Sequence, residues 1–285
     1  MIAITGATGQ LGRLVIDALL HKGVPAASLI AIVRDPARAS TLTNQGVTVR
    51  YGDYSAAETL DTAMAGVESL LLISANEIGK RTEQHGNVVA AAVRCGVKRL
   101  VYTSLLHADR SPLSLASEHL ATEALIRASG IPFVVLRNGW YTENYTASIP
   151  SALSLGAVYG CAGEGKISSA ARVDYAEAAA VALTGAVATG TTCELAGDGA
   201  YTLAELAAEL SRQAGRPIPY HNLAEADYAA ALRKAGLPDS LSAAIASWDS
   251  GAAAGALFDN DGQLSRLIGR ATTPLADSVR AALKA

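Results

Sequence analysis

The residues best suited to chemistry lie at the start of the chain, where glycines recur at positions 6, 9 and 12. The preceding segment, Ile2–Thr5, is β-branched and apolar like a buried strand, and Leu11–Leu20 has the apolar spacing of an amphipathic helix. A glycine-rich turn between a strand and a helix leaves backbone N–H groups that can bind a pyrophosphate. The first glycine permits the tight turn, the second lets phosphates approach, and the third lets the helix pack closely. The expected cofactor contacts are Gly6, Thr8, Gly9, Gln10, Leu11 and Gly12.

The residues after a second predicted strand, Leu29–Val33, indicate which dinucleotide binds. An acidic residue there accepts hydrogen bonds from the ribose hydroxyls, whereas an arginine suits a 2′-phosphate. Arg34 is the first residue past the strand. Asp35 precedes Pro36 and is therefore expected to start a turn or cap the next helix. The sequence favours NADP(H), with NAD(H) as the alternative.

The elements that must position these residues are short strands alternating with helices over the first 140 residues. Repeated strand–helix–strand order predicts a doubly wound parallel sheet, the α/β Rossmann architecture. We expect a dinucleotide-binding domain over residues 1–150 and a smaller, partly helical lobe over residues 151–285, with elements that can interleave. The predicted strands are Ile2–Thr5, Leu29–Val33, Val47–Tyr51, Ser69–Ile73, Arg99–Thr103 and Phe133–Leu136.

Two helix starts are predicted in the second half of the chain. Thr202 with Glu205 three residues later has the spacing of a capping box. Asp174 is expected to be the N-cap of a helix over Tyr175–Val187.

Ligands of open α/β sheets bind outside the carboxyl ends of the strands, so the residues that follow each strand are candidate contacts. Those after the third strand should lie near the adenine, those after the fourth near the nicotinamide ribose, and those after the fifth near the reacting end. After the sixth strand, Asn138 could hydrogen-bond the carboxamide. These candidates are Asp53, Tyr54, Ser74, Ala75, Asn76, Ser104, Asn138, Gly139, Trp140 and Tyr141.

Composition and charge exclude several other classes of protein. Half of the 285 residues are hydrophobic and only 17% are charged, which argues against disorder. The net charge of −3, without a basic run, makes nucleic acid an unexpected partner. The apolar runs fall well short of the roughly 20 residues that a membrane span needs. The three cysteines have neither metal-site nor disulfide-framework spacing, so we expect no metal and a cytoplasmic protein.

Several segments together resemble the NmrA-like atypical short-chain dehydrogenase/reductases: Gly6–Gly12, Arg34, Gly52–Tyr54, Thr103–Asp109 and Leu136–Tyr145. The resemblance covers nearly the whole chain, and the strings RNGWYTENY and TSLLHAD are its most specific parts. It implies a Rossmann domain with a small C-terminal lobe and a quinone bound in the cleft between them.

The sequence departs from short-chain reductases at their usual catalytic pair, Tyr-x-x-x-Lys. None of the ten tyrosines has a lysine four residues later. Many NmrA-like reductases carry a lysine four residues before a glutamate, and here His119 stands in that position before Glu123. The remaining candidates for catalysis are Tyr141, His119 and His107.

This departure favours a quinone as the substrate. Hydride transfer to a ketone gives a strongly basic alkoxide that needs a positioned proton donor. Hydride transfer to a quinone gives a phenolate-like anion, whose pKa is near that of tyrosine, about 10. Tyr141 and Tyr145, four residues apart, are expected to share a helical face toward such a planar substrate, with Lys166 as a further contact.

Alternatives remain open at this point. The quinone is either a simple benzo- or naphthoquinone or a polycyclic anthraquinone of a polyketide tailoring pathway. Within the same class, the substrate could instead be a ketone or an enoyl compound. From another class, NmrA relatives include dinucleotide-binding redox sensors without turnover. A homo-oligomer is compatible with all of these.

Overall fold

The computed structural model describes residues 1–284, which form two compact units. Unit 1 consists of Met1–Asp109, Leu115–Asn138 and Arg172–Leu195. Unit 2 consists of Arg110–Ser114, Gly139–Ala171 and the residues from Ala196 onward. The expected division near residue 150, which allowed for interleaved elements, stays a prediction.

Nine strands and thirteen α-helices occur within residues 1–284, and both are numbered here in chain order. The strands are β1 Ile2–Thr5, β2 Leu29–Val33, β3 Thr48–Tyr51, β4 Ser69–Leu72, β5 Arg99–Leu105, β6 Phe133–Asn138, β7 Val158–Gly160, β8 Thr191–Leu195 and β9 Tyr220–Asn222. The helices are α1 Gln10–His21, α2 Ser40–Asn44, α3 Ala57–Met64, α4 Arg81–Arg94, α5 Ala116–Ala128, α6 Glu143–Thr146, α7 Ile149–Leu155, α8 Arg172–Leu183, α9 Leu203–Ala214, α10 Glu225–Lys234, α11 Asp239–Ala253, α12 Gln263–Ile268 and α13 Leu275–Ala282.

Unit 1 is built on a seven-stranded sheet in the order β3-β2-β1-β4-β5-β6-β8. Every neighbouring pair is parallel, and the order reverses between β1 and β4. Such a reversal is the topological switch point at which doubly wound sheets bind ligands. The predicted α/β Rossmann architecture is confirmed, and β1 and β2 have the predicted bounds.

Helices cover the sheet of unit 1 because its strands are apolar on both faces. The five residues of β2 are all buried. Helices α1 and α8 pack against each other, as do α3 with α4 and α4 with α5. The core between the sheet and α3 and α4 contains Ile30, Leu60, Met64, Leu70, Val88, Leu100 and Tyr102.

The start of α8 corrects one prediction. The helix begins at Arg172 and ends at Leu183, so Asp174 lies in its first turn and is not its N-cap. Acidic residues are favoured both at the N-cap and in the first turn, where they interact with the helix dipole. The sequence pattern therefore could not separate the two positions.

Unit 2 combines a two-stranded parallel sheet of β7 and β9 with short helices. The capping box predicted at Thr202 is confirmed: its hydroxyl accepts from the Glu205 N–H at 3.1 Å, and the Glu205 carboxylate accepts from the Thr202 N–H at 2.7 Å. Across residues 1–284, no helix combines the length and the apolar character that crossing a membrane requires.

Candidate cofactor and substrate sites

The turn between β1 and α1 requires glycine at two positions. Gly6 has φ +59°, in the left-handed region that favours glycine, and its carbonyl accepts from the Gly9 N–H at 2.9 Å. At Gly12, an added Cβ would lie 2.5 Å from the Gly6 oxygen and 2.7 Å from the Ala7 Cα. Any larger residue at position 12 would therefore push the helix away from the turn.

The beginning of α1 fits a dinucleotide pyrophosphate. Gly9 is its N-cap, and no side chain within residues 1–284 caps the helix there. The first backbone N–H groups of a helix have no intrahelical acceptor, and they attract anions. Thr8 lies in the turn, while Gln10 and Leu11 are the first two residues of the helix. The six loop residues predicted to contact the cofactor are thus brought together, and their contacts stay a prediction.

Arg34 and Asp35 diverge in what they contact. The Asp35 carboxylate accepts from the Ala37 N–H at 3.0 Å and caps the 3-10 turn Pro36–Ala39, as expected from the sequence. The Arg34 side chain is 66% exposed, and its Nη1 lies 3.4 Å from Oε1 of Glu77. The Asp35 carboxylate is therefore hydrogen-bonded to the backbone. The exposed Arg34 guanidinium is the charged group suited to a 2′-phosphate.

Tyr54 and Asp53 follow β3 and hold backbone in place. The Tyr54 hydroxyl bonds to Thr5 Oγ1 and donates to the Ile73 carbonyl at 2.9 Å, which ties the ends of β1 and β4 together. Desolvation raises the pKa of this phenol despite the Thr5 hydrogen bond. Asp53 accepts from the Ser55 N–H at 2.9 Å. Both stand at the ligand-binding edge, and their adenine contacts stay a prediction.

The loop Ser74–Asn76 after β4 is fastened from three sides. The Ser74 N–H donates to Thr103 Oγ1, and the Ala75 N–H donates to Nε2 of His85, both at 2.9 Å. The Arg81 Nε donates to the Ala75 carbonyl at 2.7 Å. These bonds fix the backbone of the loop at the carboxyl edge of β4 and β5.

His85 belongs to a buried network in which its tautomer can be assigned. Its Nε2 accepts from a backbone N–H, so its proton is on Nδ1, which lies 2.8 Å from Thr122 Oγ1. The Thr122 hydroxyl in turn donates to the Glu118 carbonyl at 2.9 Å. Burial and then the Arg81 charge lower the pKa of His85 to about 4, so the ring is neutral at neutral pH.

His119, the residue at the family's lysine position, lies in the same network. Its Nδ1 is 2.8 Å from the Tyr102 hydroxyl, and its Nε2 is 3.5 Å from Nη1 of Arg81. Burial and the Arg81 charge lower its pKa to about 3. A neutral ring with both nitrogens engaged favours positioning over proton donation, and the donor role of His119 stays a prediction.

A second buried network surrounds Glu123 on α5. Oε1 accepts from the Ser104 hydroxyl at 2.6 Å and from Arg137 Nε at 2.9 Å, while Oε2 accepts from Arg137 Nη2 and Arg127 Nη2 at 3.0 Å. Burial alone would raise the pKa of this carboxyl, but Arg137 and Ser104 lower it below its ordinary value. The Ser104 hydroxyl therefore donates its hydrogen to Glu123. The contact between Ser104 and the cofactor stays a prediction.

His107 follows β5 and has φ +52°, an uncommon conformation for a residue with a side chain. Its N–H donates to Oε2 of Glu194 at 2.8 Å, and Oε1 of Glu194 accepts from Arg137 Nη1 at 2.8 Å. The Asn138 carbonyl, at the end of β6, accepts from the Leu106 N–H at 2.9 Å. His107 and Asn138 are thus brought to the same sheet edge.

In unit 2, the segment Gly139–Tyr141 belongs to no helix. Tyr141 forms a parallel bridge with Ala170, and the Ala170 N–H donates to the Trp140 carbonyl at 3.2 Å. Helix α6 begins only at Glu143. The prediction that Tyr141 and Tyr145 share a helical face is wrong, because the bridge holds Tyr141 outside the helix.

The other predicted substrate contacts in unit 2 have separate surroundings. The Tyr145 hydroxyl is buried and has no hydrogen-bond partner within residues 1–284. Lys166 lies 3.1 Å from Oε2 of Glu205, the capping-box residue of α9. Their roles in substrate binding stay predictions.

Sequence reasoning did not identify several residues that shape these regions. Trp248 on α11 packs edge-on against Trp140, with ring centroids 5.6 Å apart. Its partner lies 108 positions away in the sequence, and no local pattern marks such a contact. Glu77 and Glu194 likewise pair with residues far away in the sequence, Arg34 and Arg137. No cluster of potential metal ligands occurs among the residues that the structure describes.

The parallel sheet, the glycine turn and the exposed Arg34 define a dinucleotide-binding Rossmann protein. Residues 1–271 match the NmrA-like family, and the chain belongs to that family.

Similar proteins include an enzyme and solved structures. The chain is 56% identical to quinone oxidoreductase 2 of Escherichia coli strain K12, over 98% of this chain and 97% of that protein. The crystal structure of the Escherichia coli NADPH-dependent quinone oxidoreductase QOR2 with NADPH superposes with a TM-score of 0.96, at 55% identity, over 99% of this chain and all of that one. The Citrobacter sp. triphenylmethane reductase complexed with NADP(H) gives 0.94 at 40% identity, with the same coverage.

Proposed function

We propose that the chain is an NADPH-dependent oxidoreductase that transfers hydride to a quinone. Two observations carry the use of NADPH: the glycine turn of unit 1, into which a side chain at position 12 does not fit, and the exposed Arg34 that follows β2. The proposal is supported by the 56% identity to a quinone oxidoreductase over nearly the whole of both chains.

The cofactor's place is assigned to residues of unit 1. The N–H groups at the start of α1 bind the pyrophosphate, and Arg34 pairs with the 2′-phosphate, which makes NADP(H) the preferred dinucleotide. The fastened loop Ser74–Asn76 presents fixed backbone groups to the cofactor. When bound, NADPH supplies the hydride.

A quinone fits the surroundings of His119 better than a ketone does. The ketone reaction needs a strong positioned acid, whereas His119 is neutral and buried, with both nitrogens engaged. The hydroxyl that forms when a hydroquinone anion is protonated has a pKa of about 10, like that of tyrosine. Water or a neutral hydroxyl therefore suffices to protonate the anion. We assign Tyr141 and His107 as the neutral donors to test, and Tyr145 and Lys166 as substrate contacts.

Larger conjugated acceptors are a second candidate substrate class. The specific observation is the likeness to triphenylmethane reductase, which is 40% identical. A polycyclic anthraquinone falls in the same size range as such a dye. We further propose a cytoplasmic location, in keeping with the reducing compartment inferred from the cysteines.

The deciding experiment follows NADPH consumption by the purified chain with 1,4-benzoquinone, a naphthoquinone, an anthraquinone, a triphenylmethane dye and a simple ketone. We expect turnover with at least one quinone and none with the ketone. Turnover of the ketone alone would support the ketone-reductase alternative. Tight NADPH binding without oxidation of NADPH by any acceptor would overturn the enzyme assignment in favour of a redox sensor.

A further inference from the structure

One carboxylate holds two cations beside the end of β2. Glu77 follows β4, and its Oε1 lies 3.4 Å from Nη1 of Arg34. Its Oε2 lies 3.3 Å from Nζ of Lys80. All three side chains are at least 40% exposed, so the cluster faces solvent. Two cations that converge on one small anion also suit a phosphate, which carries more charge and more acceptor oxygens than a carboxylate.

Glu77 is an ionised acid between two cations. The proximity of Gln84 and then of Lys80 lowers the pKa of the Glu77 carboxyl, which is therefore ionised at neutral pH. Gln84 itself is buried, and its Nε2 donates to Ser55 Oγ at 3.0 Å.

We propose that Glu77 is a selectivity residue that occupies the place of the 2′-phosphate in the cofactor-free protein. It holds Arg34 and Lys80 near that place, and the arriving phosphate takes over both cations. Lys80 becomes the second phosphate ligand beside Arg34. This inference rests on the proposed use of NADPH and deepens it.

The energetic consequence differs between the two dinucleotides. NADPH must break the Arg34–Glu77 pair and then place its phosphate near a carboxylate, which weakens binding. NADH lacks the phosphate and leaves the pair intact. Glu77 therefore reduces the preference for the phosphorylated nucleotide that Arg34 creates. Because the pair is exposed, the effect is modest and declines with salt.

The test measures binding of two probes, 2′,5′-ADP and 5′-AMP, by isothermal titration calorimetry at low ionic strength. For Glu77→Gln we expect binding of 2′,5′-ADP to tighten about two- to fivefold, the range of an exposed ion pair, with 5′-AMP unchanged. For Lys80→Gln we expect 2′,5′-ADP to bind more weakly. Glu83→Gln is the matched control, because it removes the same charge from an exposed position in the first turn of α4.

A double-mutant cycle isolates the pair. In the background of Arg34→Gln, the effect of Glu77→Gln should shrink, because the guanidinium that it masks is gone. Equal tightening by Glu77→Gln and Glu83→Gln would overturn the proposal, since it would show a general charge effect. Weaker binding to Glu77→Gln would also overturn it.

The outcome for the wild-type chain separates this inference from the proposed cofactor. If wild type binds 2′,5′-ADP no better than 5′-AMP, the use of NADPH fails, and the role of Glu77 fails with it. If wild type prefers 2′,5′-ADP and Arg34→Gln abolishes the preference, but Glu77→Gln changes nothing, only the role of Glu77 is refuted.

Discussion

Two buried carboxylates, Glu123 in unit 1 and Asp249 in unit 2, have opposite surroundings. Glu123 is 0% exposed, and Arg137 and Arg127 both donate to it. Asp249 on α11 is 6% exposed, and it accepts a hydrogen bond from the Cys161 N–H at 3.1 Å. No cation pairs with Asp249 within residues 1–284. The pKa of the Glu123 carboxyl is lowered, whereas burial raises that of Asp249 to about 6.

The difference shows that the partner, and not burial alone, decides the charge of a buried acid. Burial penalises the charged form at both sites. At Glu123 the guanidinium groups overcome this penalty. The acid belongs to a hydrogen-bond network that includes the Ser104 hydroxyl and, through Arg137 and Glu194, the His107 N–H. At Asp249 the penalty remains. The charge on nearby Asp249 also raises the pKa of the Tyr145 phenol, after desolvation.

Glu123→Gln should give the largest loss of stability. It removes one of the three carboxylates that the buried Arg137 guanidinium contacts, while Glu194 at 2.8 Å and Asp109 at 2.9 Å remain. Breaking a buried ion pair on one side costs about 3–5 kcal/mol, and because two carboxylates still neutralise the guanidinium, we expect a loss at the lower end of that range, about 3 kcal/mol. The free energy of unfolding, measured by urea denaturation at pH 7, reports this loss. The control is Glu205→Gln, which breaks the exposed pair with Lys166 and should cost about 1 kcal/mol from that pair at most. Equal losses in both variants would contradict the view that Glu123 is the supporting acid.

Asp249→Asn should act in the opposite direction and depend on pH. The folded-state pKa of Asp249 is raised to about 6 from an ordinary value of 3.8. The folded protein therefore holds its proton more tightly, so this acid contributes stability below about pH 4 and loses it as the pH rises through 6. At pH 7 the asparagine variant should be more stable than wild type by about 2–3 kcal/mol, because it avoids burying the charge.

The measurement is the difference in free energy of unfolding between wild type and Asp249→Asn at pH 4 and pH 7. The difference should be near zero at pH 4 and largest at pH 7. Asp239→Asn is the control, since it removes a carboxylate from the same helix at a position that is 92% exposed. A variant less stable than wild type at pH 7 would mean that the charge of Asp249 has a partner in solution.

Local patterns predicted the parts of the fold that depend on neighbouring residues. Hydrophobic runs identified β1 and β2, the glycine spacing identified the turn at Gly6, and the spacing of Thr202 and Glu205 identified a capping box. Each of these features is complete within a dozen residues, so its physical cause is visible in the sequence.

The long-range partners of the buried charged groups could not be predicted from such patterns. Arg137 meets Glu194 across 57 positions because β6 and β8 are neighbours in the sheet. Asp249 meets the Cys161 N–H across 88 positions. The prediction that Tyr141 lies on a helix was wrong for a related reason. Tyr141 forms a bridge with Ala170, which is distant in the sequence, and helical spacing around Tyr141 gives no sign of that bridge. Strand order and long-range bridges are decided by packing of the whole chain, which spacing does not encode.

The smallest expected changes in stability come from replacing one buried tyrosine in each unit, which extends the comparison of the two acids to neutral hydroxyl groups. The Tyr102 hydroxyl bonds to His119 at 2.8 Å in unit 1, whereas the Tyr145 hydroxyl in unit 2 is buried without a partner among the described residues. Tyr102→Phe should lower the free energy of unfolding by about 1 kcal/mol, because a buried hydrogen bond is lost. Tyr145→Phe should leave the free energy of unfolding unchanged or raise it by up to about 1 kcal/mol, because an unsatisfied hydroxyl is removed.

Urea denaturation of both variants at pH 7 provides the measurement, and each variant serves as the control for the other. A loss at Tyr145 as large as that at Tyr102 would show that its hydroxyl is hydrogen-bonded in solution, and the contrast between the two regions would then be restricted to their acids.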